Sequence, residues 1–273
     1  LHKNHPELPI QEDETAIVVY AARQYQQSSK DVDFIRHLYP RLIAPAGDFM
    51  SRFIDDKTSL PHASYDLWEQ QFATFTYTVF LTLCGLEAAA EIAESLHKAE
   101  DAKRWRDAIK KITAGLKGLR DDNGRYLKCI LLTLEGKIEK DSTVDAANFF
   151  GAFLYGKADK DALDETVRLI EERLLGSAPI GGVPRYEHDD YFLEDKTKLG
   201  NPWMITTLWL ARYYISENRQ KDALELINWV QERAGDSGML SEQVDPNTGI
   251  GVGVSPLVWS HSTFLETVLK LSD

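Results

Sequence analysis

Residues 72–86 read FATFTYTVFLTLCGL, a run without a single charged side chain. Polar and aromatic residues lead into it, because 64–70 reads SYDLWEQ and follows a loop signal at 59–63. A helix without a charged face has to be surrounded by other parts of the protein. The run therefore predicts a helix, from residue 70 to about 91, that is buried on most sides.

Apolar and amphipathic segments alternate along the rest of the chain. The apolar ones lie at 14–27, 70–91, 144–155, 203–215 and 256–271. The amphipathic ones lie at 31–54, 98–119, 160–175 and 222–233, and each carries one apolar stripe. Pro40 and Pro45 are expected to kink or divide the 31–54 segment.

This alternation predicts an all-α fold in which buried helices form a ring and striped helices wrap it, an (α/α)6-barrel or helical toroid. A closed ring of that type has six helices of each kind, so we expect the barrel to be incomplete by about three N-terminal helices. A repeat solenoid is the competing architecture, but no period of about 34–47 residues is visible. Residues 1–273 are predicted to form a single, partial barrel domain, with a small β-hairpin insertion near 125–140 around LEGK at 134–137.

Composition excludes several classes of function. The 273 residues are 43% hydrophobic and 27% charged, which is enough for a large core, and the formal net charge of −12 disfavours binding to nucleic acid. Cys84 and Cys129 match no metal motif or disulfide framework. No apolar run is long enough to span a membrane, and the first residues are not a signal peptide. We therefore expect a cytoplasmic protein without a cofactor, a metal, a nucleic-acid partner or a membrane partner.

Segments that contain acidic and aromatic residues lie just before the predicted buried helices. Acids, Tyr, Trp and one Arg lie in 11–14, 65–69, 181–191, 200–203 and 240–245. In a ring the inner helices all run in the same direction, so the segments that precede them should lie together at the same end of the barrel. Helix caps explain an acid at each helix start, but not the aromatic residues and the Arg beside them. Aromatic rings stack on sugars, and two carboxyl groups across a cleft are the minimal machinery for cleaving a glycosidic bond.

Glu69 is the leading candidate for a proton donor. Its aromatic neighbours would partly desolvate the carboxyl group, whereas the N-terminus of the following helix favours the anion. An acid held between these effects suits proton donation near neutral pH. The alternative is that Asp66 or Ser64 is a helix cap, Trp68 a core residue and Glu69 an ordinary first-turn acid.

Several motifs occur together in the chain. They read SYDLWE at 64–69, GGVPRYEHDDY at 181–191, GNPW at 200–203, LSEQ at 240–243 and PLVWSH at 256–261, with QEDETA at 11–16 before them. Together they resemble glycoside hydrolase family 15, the glucoamylase and glucodextranase family, in its bacterial and archaeal branch. The resemblance runs from about Leu8 to the end of the chain. It implies an (α/α)6 catalytic barrel that releases β-glucose from the non-reducing ends of α-glucans with inversion.

The resemblance also implies the roles of individual residues. Glu69 would be the general acid and Glu242 the general base, with carboxyl groups about 6.5–9.5 Å apart, as inversion requires. Arg185 matches the family Arg that holds hydroxyls of the terminal sugar. The other implied substrate-binding residues are Trp68, Tyr65, Asp66, Gln11, Asp189, Trp203 and Trp259. The expected partner is an α-glucan or a small glucoside, and the linkage stays open among α-1,4 glucan, α-1,6 dextran and trehalose.

The sequence also departs from the family. A Trp-x-Arg-Asp-like segment of an earlier inner helix and the preceding β-sandwich domain are absent, and Gln70 stands where a second acid is common. We therefore expect a C-terminal part of a longer protein, weak or inactive alone, with an open edge that a second copy covers as a homodimer. The alternative function is a catalytically impaired carbohydrate-binding or scaffold remnant, and a helical-repeat interaction protein is the third.

Four further motifs favour ordinary roles. His188, beside two acids, suggests a metal, but a solvated loop is favoured because no second His has ligand spacing. His261 is expected to be a hydrogen-bonded core residue rather than a catalyst. Residues 249–253 are glycine-spaced but follow no strand, which disfavours nucleotide binding. Residues 245–249 favour a turn over a calcium site.

Overall fold

The computed structural model of the protein describes residues 10–133 and 135–272, without the side chain of Ser272. The chain divides into two compact units, one made of Leu1–Ser142 with Leu154–Lys160, the other of Thr143–Phe153 with Asp161–Asp273. Both are mainly helical and each holds one small sheet, which confirms the predicted all-α class. The single domain over 1–273 stays a prediction, and the start of the resemblance near Leu8 lies outside the described residues.

Most of the first unit is helical. Among its described residues the α-helices are α1 Glu12–Ser29, α2 Val32–Leu38, α3 Ala44–Arg52, α4 Thr76–Ser95 and α5 Ala99–Gly115, and α5 continues into a 3-10 turn at Leu116–Leu119. A π-helical turn at Tyr39–Ile43 separates α2 from α3. Pro40 lies in that turn, so the predicted division of the 31–54 segment at its prolines is confirmed.

Helix α4 is the buried helix that residues 72–86 predict. The expectation that no apolar run is long enough to span a membrane is wrong, because Thr76–Ser95 meets that criterion by length and composition. However, 89% of that window is buried inside the protein, as in the core helix of a globular unit. The predicted start near residue 70 is wrong, because Thr74–Phe75 forms strand β1. That strand pairs with a distant part of the chain, and the N–H of Thr76 then donates to the carbonyl of Lys128.

Helices α1 and α4 run parallel and in close contact. Arg23 forms an ion pair with Glu91, and further along both helices the amide of Gln26 donates to the hydroxyl of Ser95 at 3.0 Å. At Gly85 the two backbones approach so closely that an added Cβ would lie 2.9 Å from the Cα of α1 residue Ala16. A glycine is required here by space, since any side chain would push the helices apart.

The first unit contains the predicted hairpin. Strands β2 Cys129–Leu132 and β3 Ile138–Asp141 are antiparallel, in the register Cys129↔Asp141, and β1 extends the sheet as β1-β2-β3. The turn is closed by a bond from the N–H of Thr133 to the carbonyl of Lys137, while Leu134 lies outside the described residues. Cys84 and Cys129 are both buried, and no disulfide joins them.

A short segment of the first unit, Leu154–Lys160, comes from later in the chain. It follows residues Thr143–Phe153, which belong to the second unit. The ammonium of Lys157 lies 2.7 Å from the carboxylate of Glu87, and the N–H of Asp159 donates to the hydroxyl of Tyr126. These contacts fix the segment against α4 and the residues that precede β2.

The second unit is built on helices and a sheet of very short strands. Its helices are α6 Ala146–Tyr155, α7 Lys160–Arg173, α8 Met204–Ser216, α9 Gln220–Gln231 and α10 Val258–Ser272, apart from the end residues that the first unit contains. Strands β4 Val183–Pro184, β5 Pro202–Trp203, β6 Gln243–Val244 and β7 Gly251–Val252 pair antiparallel in that order. This sheet was not predicted, and it joins the ends of three motif segments.

Two of the apolar helices are less buried than their sequences predict. In α1, Ile17 and Val18 are 37% and 47% exposed, and in α10, Leu265 and Leu269 are 63% and 67% exposed. An apolar helix is buried all round only where neighbours surround it, and each of these packs on one side. Helix α10 packs against α8 in the parallel sense, since Trp259 contacts Trp209 and Glu266 pairs with Arg212 further along.

Candidate active site

Glu69 ends a tight turn and does not lie in a helix. The N–H of Glu69 donates to the carbonyl of Asp66 at 2.9 Å, and the N–H of Trp68 donates to the Asp66 carboxylate at 3.1 Å. Glu69 has φ +55°, a left-handed conformation that few residues other than glycine adopt. The alternative in which Glu69 is an ordinary first-turn acid is therefore wrong, because the chain forms this turn and β1 before α4 begins.

The loop that carries this turn is closed at its base. Ser64 and Ala73 exchange two backbone hydrogen bonds of 3.0 and 3.1 Å. Trp68 is 6% exposed and anchors the loop from inside, whereas Glu69 is exposed to solvent. The loop thus holds a solvent-facing carboxyl group on a buried aromatic anchor, as a positioned proton donor requires.

Residues at the start of α1 support the turn from behind. The N–H of Tyr65 donates to the carbonyl of Ile10 at 2.9 Å, and the side-chain amide of Gln11 donates to the carbonyl of Asp66 at 3.1 Å. Asp66 is 2% exposed. Gln11 and Asp66, predicted as substrate-binding residues, are thus engaged with each other in this turn. Tyr65 is partly exposed and packs edge-on against Phe72, with ring centroids 5.4 Å apart.

Two buried acids next to this turn were not singled out by the sequence. Glu12 is fully buried and Asp13 is 3% exposed. Burial, followed by the charge of Asp13, raises the pKa of Glu12 well above its usual value. Burial also raises the pKa of Asp13 to about 7, against hydrogen bonds from the backbone of Glu14 and Leu67. Burial, and then the charges of Asp13 and Asp66, raise the pKa of Tyr77, so these groups share one desolvated volume.

In the second unit Arg185 is bound to Asp189. Two hydrogen bonds of 2.7 Å join the guanidinium to the carboxylate, and the residues are 3% and 1% exposed. Burial opposes the charge of Arg185, but the bonds to Asp189 outweigh it and raise the pKa of Arg185. The guanidinium also lies over the rings of Trp203 and Tyr191, 4.7 and 4.8 Å from their centroids. Trp203, 3% exposed, thus belongs to the same cluster.

Glu242 immediately precedes β6 and is partly buried. Its Oε2 accepts a hydrogen bond from the side-chain amide of Gln243 at 3.3 Å. The oxygen of that amide in turn accepts a bond of 2.7 Å from the amide of Asn201. A side chain at Gly253 would collide with the Glu242 carboxylate. The sheet and these two amides therefore hold the carboxylate in one orientation, and sequence reasoning did not assign a role to Gln243, Asn201 or Gly253.

Trp259 is the most exposed of the predicted tryptophans. It is 37% exposed, and its ring lies 6.0 Å from that of Trp209, which stacks on Phe150 at 4.3 Å. Trp259 therefore presents an aromatic face that is supported from behind. A supported ring of this kind can stack on an apolar sugar face.

The motifs expected to have ordinary roles have the following places in the structure. The premise that residues 249–253 follow no strand is wrong, because β6 precedes them and β7 lies within them. His188 is exposed, and the ring of His261 accepts a hydrogen bond from the N–H of Leu240 at 3.1 Å. Asp245 accepts bonds from the backbone and hydroxyl of Thr248, which makes 245–249 a side-chain-stabilised turn. Within 10–133 and 135–272, no group of three or more His, Cys, Asp or Glu side chains could hold a metal ion.

The predicted residues thus gather in two places, one in each unit. The first unit brings together Gln11, Tyr65, Asp66, Trp68 and Glu69. The second links Arg185, Asp189 and Trp203 directly, and β5 joins them to Glu242 because Trp203 pairs with Gln243. Trp259, in the second unit as well, packs on Trp209 of α8. The assigned catalytic and binding roles stay predictions.

Comparison with known proteins gives one consistent family. The profile described as glycosyl hydrolases family 15 matches residues 9–228. An uncharacterized glycosyl hydrolase of Methanocaldococcus jannaschii is 28% identical over 96% of this chain and 42% of its own length. A glucoamylase of Clostridium sp. is 26% identical over 94% of this chain and 38% of its own, and Sulfolobus acidocaldarius trehalase 2 is 23% identical over 97% and 43%. The chain spans about two fifths of the length of these relatives.

A solved structure shows the fold. A bacterial glucoamylase complexed with acarbose superposes with a TM-score of 0.77 at 21% identity, over 97% of this chain and 41% of that one. Glucoamylases have the (α/α)6 fold with small sheets, and the predicted fold class is thereby confirmed.

Proposed function

This chain belongs to glycosyl hydrolase family 15, and from that premise we propose that it hydrolyses α-glucosides, removing glucose from non-reducing ends by an inverting mechanism with two carboxyl groups. The observation that supports the proposal best is the pair of carboxyl groups presented on rigid supports. Glu69 is exposed at the end of a turn that hydrogen bonds to Ile10 and Gln11 support. Glu242 accepts a hydrogen bond from the amide of Gln243, which in turn accepts one from Asn201. Both stand in motifs of the family. Its natural substrate would be an α-1,4 or α-1,6 glucan.

Glu69 is assigned the role of general acid. Protonated, its carboxyl group donates a proton to the oxygen of the glycosidic bond as that bond breaks. The role needs a side chain that reaches the substrate from a fixed backbone. The turn at Asp66 and the anchor Trp68 provide that backbone, because both are buried while Glu69 remains exposed.

Glu242 is assigned the role of general base. As a carboxylate it takes a proton from a water molecule, and that water attacks the anomeric carbon from the side opposite the leaving group, which inverts the configuration. The bond from Gln243 to Oε2 orients the carboxylate.

The buried cluster of Arg185 and Asp189 supports sugar recognition mainly through its neighbours. Arg185 is almost fully covered and already holds Asp189, so we propose that it presents only an edge to a sugar hydroxyl. Trp259 and Tyr65, which are more exposed, are the proposed stacking surfaces. Trehalose is a second candidate substrate, because three of the family relatives are named trehalases.

The test is hydrolysis by the wild type, Glu69→Gln and Glu242→Gln, in this chain and in the longest protein that its gene encodes. Substrates are maltooligosaccharides, isomaltooligosaccharides and trehalose, with proton NMR recording the first anomer released. Each substitution should lower kcat by about 10²–10⁴. β-Glucose should appear first from the maltooligosaccharides and isomaltooligosaccharides, whereas trehalose should give α- and β-glucose in equal amounts, because its leaving glucose keeps the α configuration. Glu14→Gln, an exposed acid near the same turn, is the control. Full activity of either Gln variant, or initial release of α-glucose from the oligosaccharides, would contradict the proposal.

The alternative function is a carbohydrate-binding or scaffold remnant. It is favoured if no form of the protein releases glucose while this chain still binds maltooligosaccharides in calorimetry. Binding that depends on Trp259 would then place the sugar at the exposed aromatic face.

A further inference from the structure

Asn201 lies between an exposed loop and the side chain that holds Glu242. Its side-chain nitrogen donates to the side-chain oxygen of Gln243 at 2.7 Å and to the backbone carbonyl of Phe192 at 3.1 Å. The carbonyl of Tyr191 lies 3.5 Å from the same nitrogen. Asn201 is 1% exposed and Gln243 is 0% exposed, so both amides are shielded from water.

The carbonyl of Phe192 determines which end of the Asn201 amide faces Gln243. A backbone carbonyl can only accept a hydrogen bond, so the nitrogen of Asn201 has to point toward it. That nitrogen carries a second hydrogen, which is donated to Gln243. The reverse orientation would place the side-chain oxygen of Asn201 against other acceptors in a buried place, which is costly.

The orientation of the Gln243 amide follows from that of Asn201. Since the oxygen of Gln243 accepts from Asn201, its nitrogen is turned the other way, where it donates to Oε2 of Glu242 at 3.3 Å. A flipped Gln243 amide would bring two nitrogens together at Asn201 and two oxygens together at Glu242. Asn201 therefore determines that Glu242 meets a donor at this point and not an acceptor.

The backbone of Glu242 is already fixed, so the direction of its side chain is what remains to be set. Its N–H donates to the carbonyl of Val254 at 2.9 Å, and its carbonyl accepts from the N–H of Met204 at 3.3 Å. Gln243 lies in β6, which pairs with β5 on one side and β7 on the other. The bond between the two side chains thus starts from a rigid sheet, as precise positioning requires.

The loop at 190–198 depends on contacts of this kind for its own conformation. Phe192 has φ +55°, a left-handed conformation that persists only where surrounding contacts hold it. Its side chain is 56% exposed, so burial of the ring contributes little to that hold. Asn201 joins this backbone to the sheet that carries Glu242.

We propose that Asn201 is a positioning residue for Glu242, which fixes the orientation of the Gln243 amide and thereby couples the conformation of the loop at 190–198 to the direction of the Glu242 carboxylate. Asn201 touches neither substrate nor reacting atoms in this role. The effect on hydrolysis rests on the proposed function, whereas the control of Gln243 by Asn201 does not.

A role limited to the loop makes a different prediction. The bonds to the carbonyls of Tyr191 and Phe192 could serve only to hold the loop, and loss of Asn201 would then leave the Gln243 amide as it is. Asn247→Ala is the matched control. Asn247 is exposed, and its amide holds the same loop through a bond of 3.1 Å to the Asp195 carboxylate.

Hydrogen exchange of the Gln243 side-chain amide, followed by nitrogen-15 NMR on this chain, separates the two roles. Its signal is identified by its loss in Gln243→Met. Asn201→Ala and Asn201→Leu both remove the donor, and exchange at this amide should rise roughly tenfold in each. Asn247→Ala should leave it unchanged. Wild-type exchange in both Asn201 variants, or an equal rise in Asn247→Ala, would overturn the proposal.

Kinetics gives an independent second measurement. If the wild type hydrolyses a glucoside, Asn201→Ala should lower kcat about tenfold with little change in KM, and Asn247→Ala should keep the wild-type kcat. Because Asn201 acts through Gln243, the double variant Asn201→Ala/Gln243→Met should have a kcat within about twofold of that of Gln243→Met alone.

An unchanged kcat in Asn201→Ala, or losses that multiply in the double variant, would reject the link to Glu242. If no form of the protein releases glucose, the proposed function fails, and amide exchange alone decides whether Asn201 controls Gln243.

Discussion

Replacing Asp13 by Asn should change how the stability of the protein depends on pH. In the folded protein, burial raises the pKa of Asp13 from 3.8 to about 7. The unfolded chain releases this proton near 3.8, whereas the folded protein holds it until about pH 7. Between these values unfolding releases a proton, so the stabilisation is fully present below about pH 4 and is lost as pH rises through 7. Asn is neutral throughout and does not show this loss.

The size of the effect follows from the two pKa values. The interval from 3.8 to about 7, at about 1.4 kcal/mol for each pH unit, corresponds to roughly 4 kcal/mol. The groups that face Asp13 are Glu12 and Glu14 on its own helix and Tyr77 on α4. Glu12 adjusts its own protonation as Asp13 ionises, which reduces the observed difference to about 2–4 kcal/mol.

Urea denaturation followed by circular dichroism at several pH values between 4 and 9 measures this difference. The free energy of unfolding of Asp13→Asn, minus that of the wild type, should rise with pH and level off above about 8. Titration of groups that do not interact with Asp13 cancels in this difference. Glu14→Gln, at an exposed position, should give a difference that varies by less than about 0.5 kcal/mol. A pH-independent difference for Asp13→Asn would refute the argument that Asp13 holds a proton in the folded protein.

Two further substitutions test the packing of each unit by thermal and urea denaturation. Gly85→Ala should lower the free energy of unfolding by about 1–3 kcal/mol. Gly118→Ala is the control and should not lower it, because nothing lies within 4 Å of the added carbon. Equal stability of the two variants would show that α1 and α4 do not approach closely. Asp189→Asn leaves the buried Arg185 without its carboxylate and should cost about 3–5 kcal/mol, and a loss below about 1 kcal/mol would mean that the pair is accessible to solvent.

The helices could be predicted because their burial pattern is a local property of the sequence. A striped segment such as α5, or the charge-free run at 72–86 that leads into α4, shows its environment in its own residues. The start of α4 could not be predicted, since Thr74 and Phe75 pair with residues 129–130, which are distant in sequence. Strands of two residues, as in the β4–β7 sheet, are too short to show any periodicity.

The candidate site was predictable to the extent that its residues stand in motifs. Glu69 and Glu242 are proposed on this ground, but the support around them depends on contacts between distant segments. Three consecutive acids at the start of α1 resemble an ordinary solvated helix end, although Glu12 and Asp13 are buried. The available signal was their position directly before an apolar helix, where an acid has little access to water.

The segment Leu154–Lys160 has a consequence for synthesis on the ribosome. A nascent chain that has emerged only as far as residue 142 lacks the partner of Glu87 and the backbone that approaches Tyr126. We expect the first unit to remain incompletely folded, and open to proteases and chaperones, until translation has passed residue 160 and these residues have left the exit tunnel.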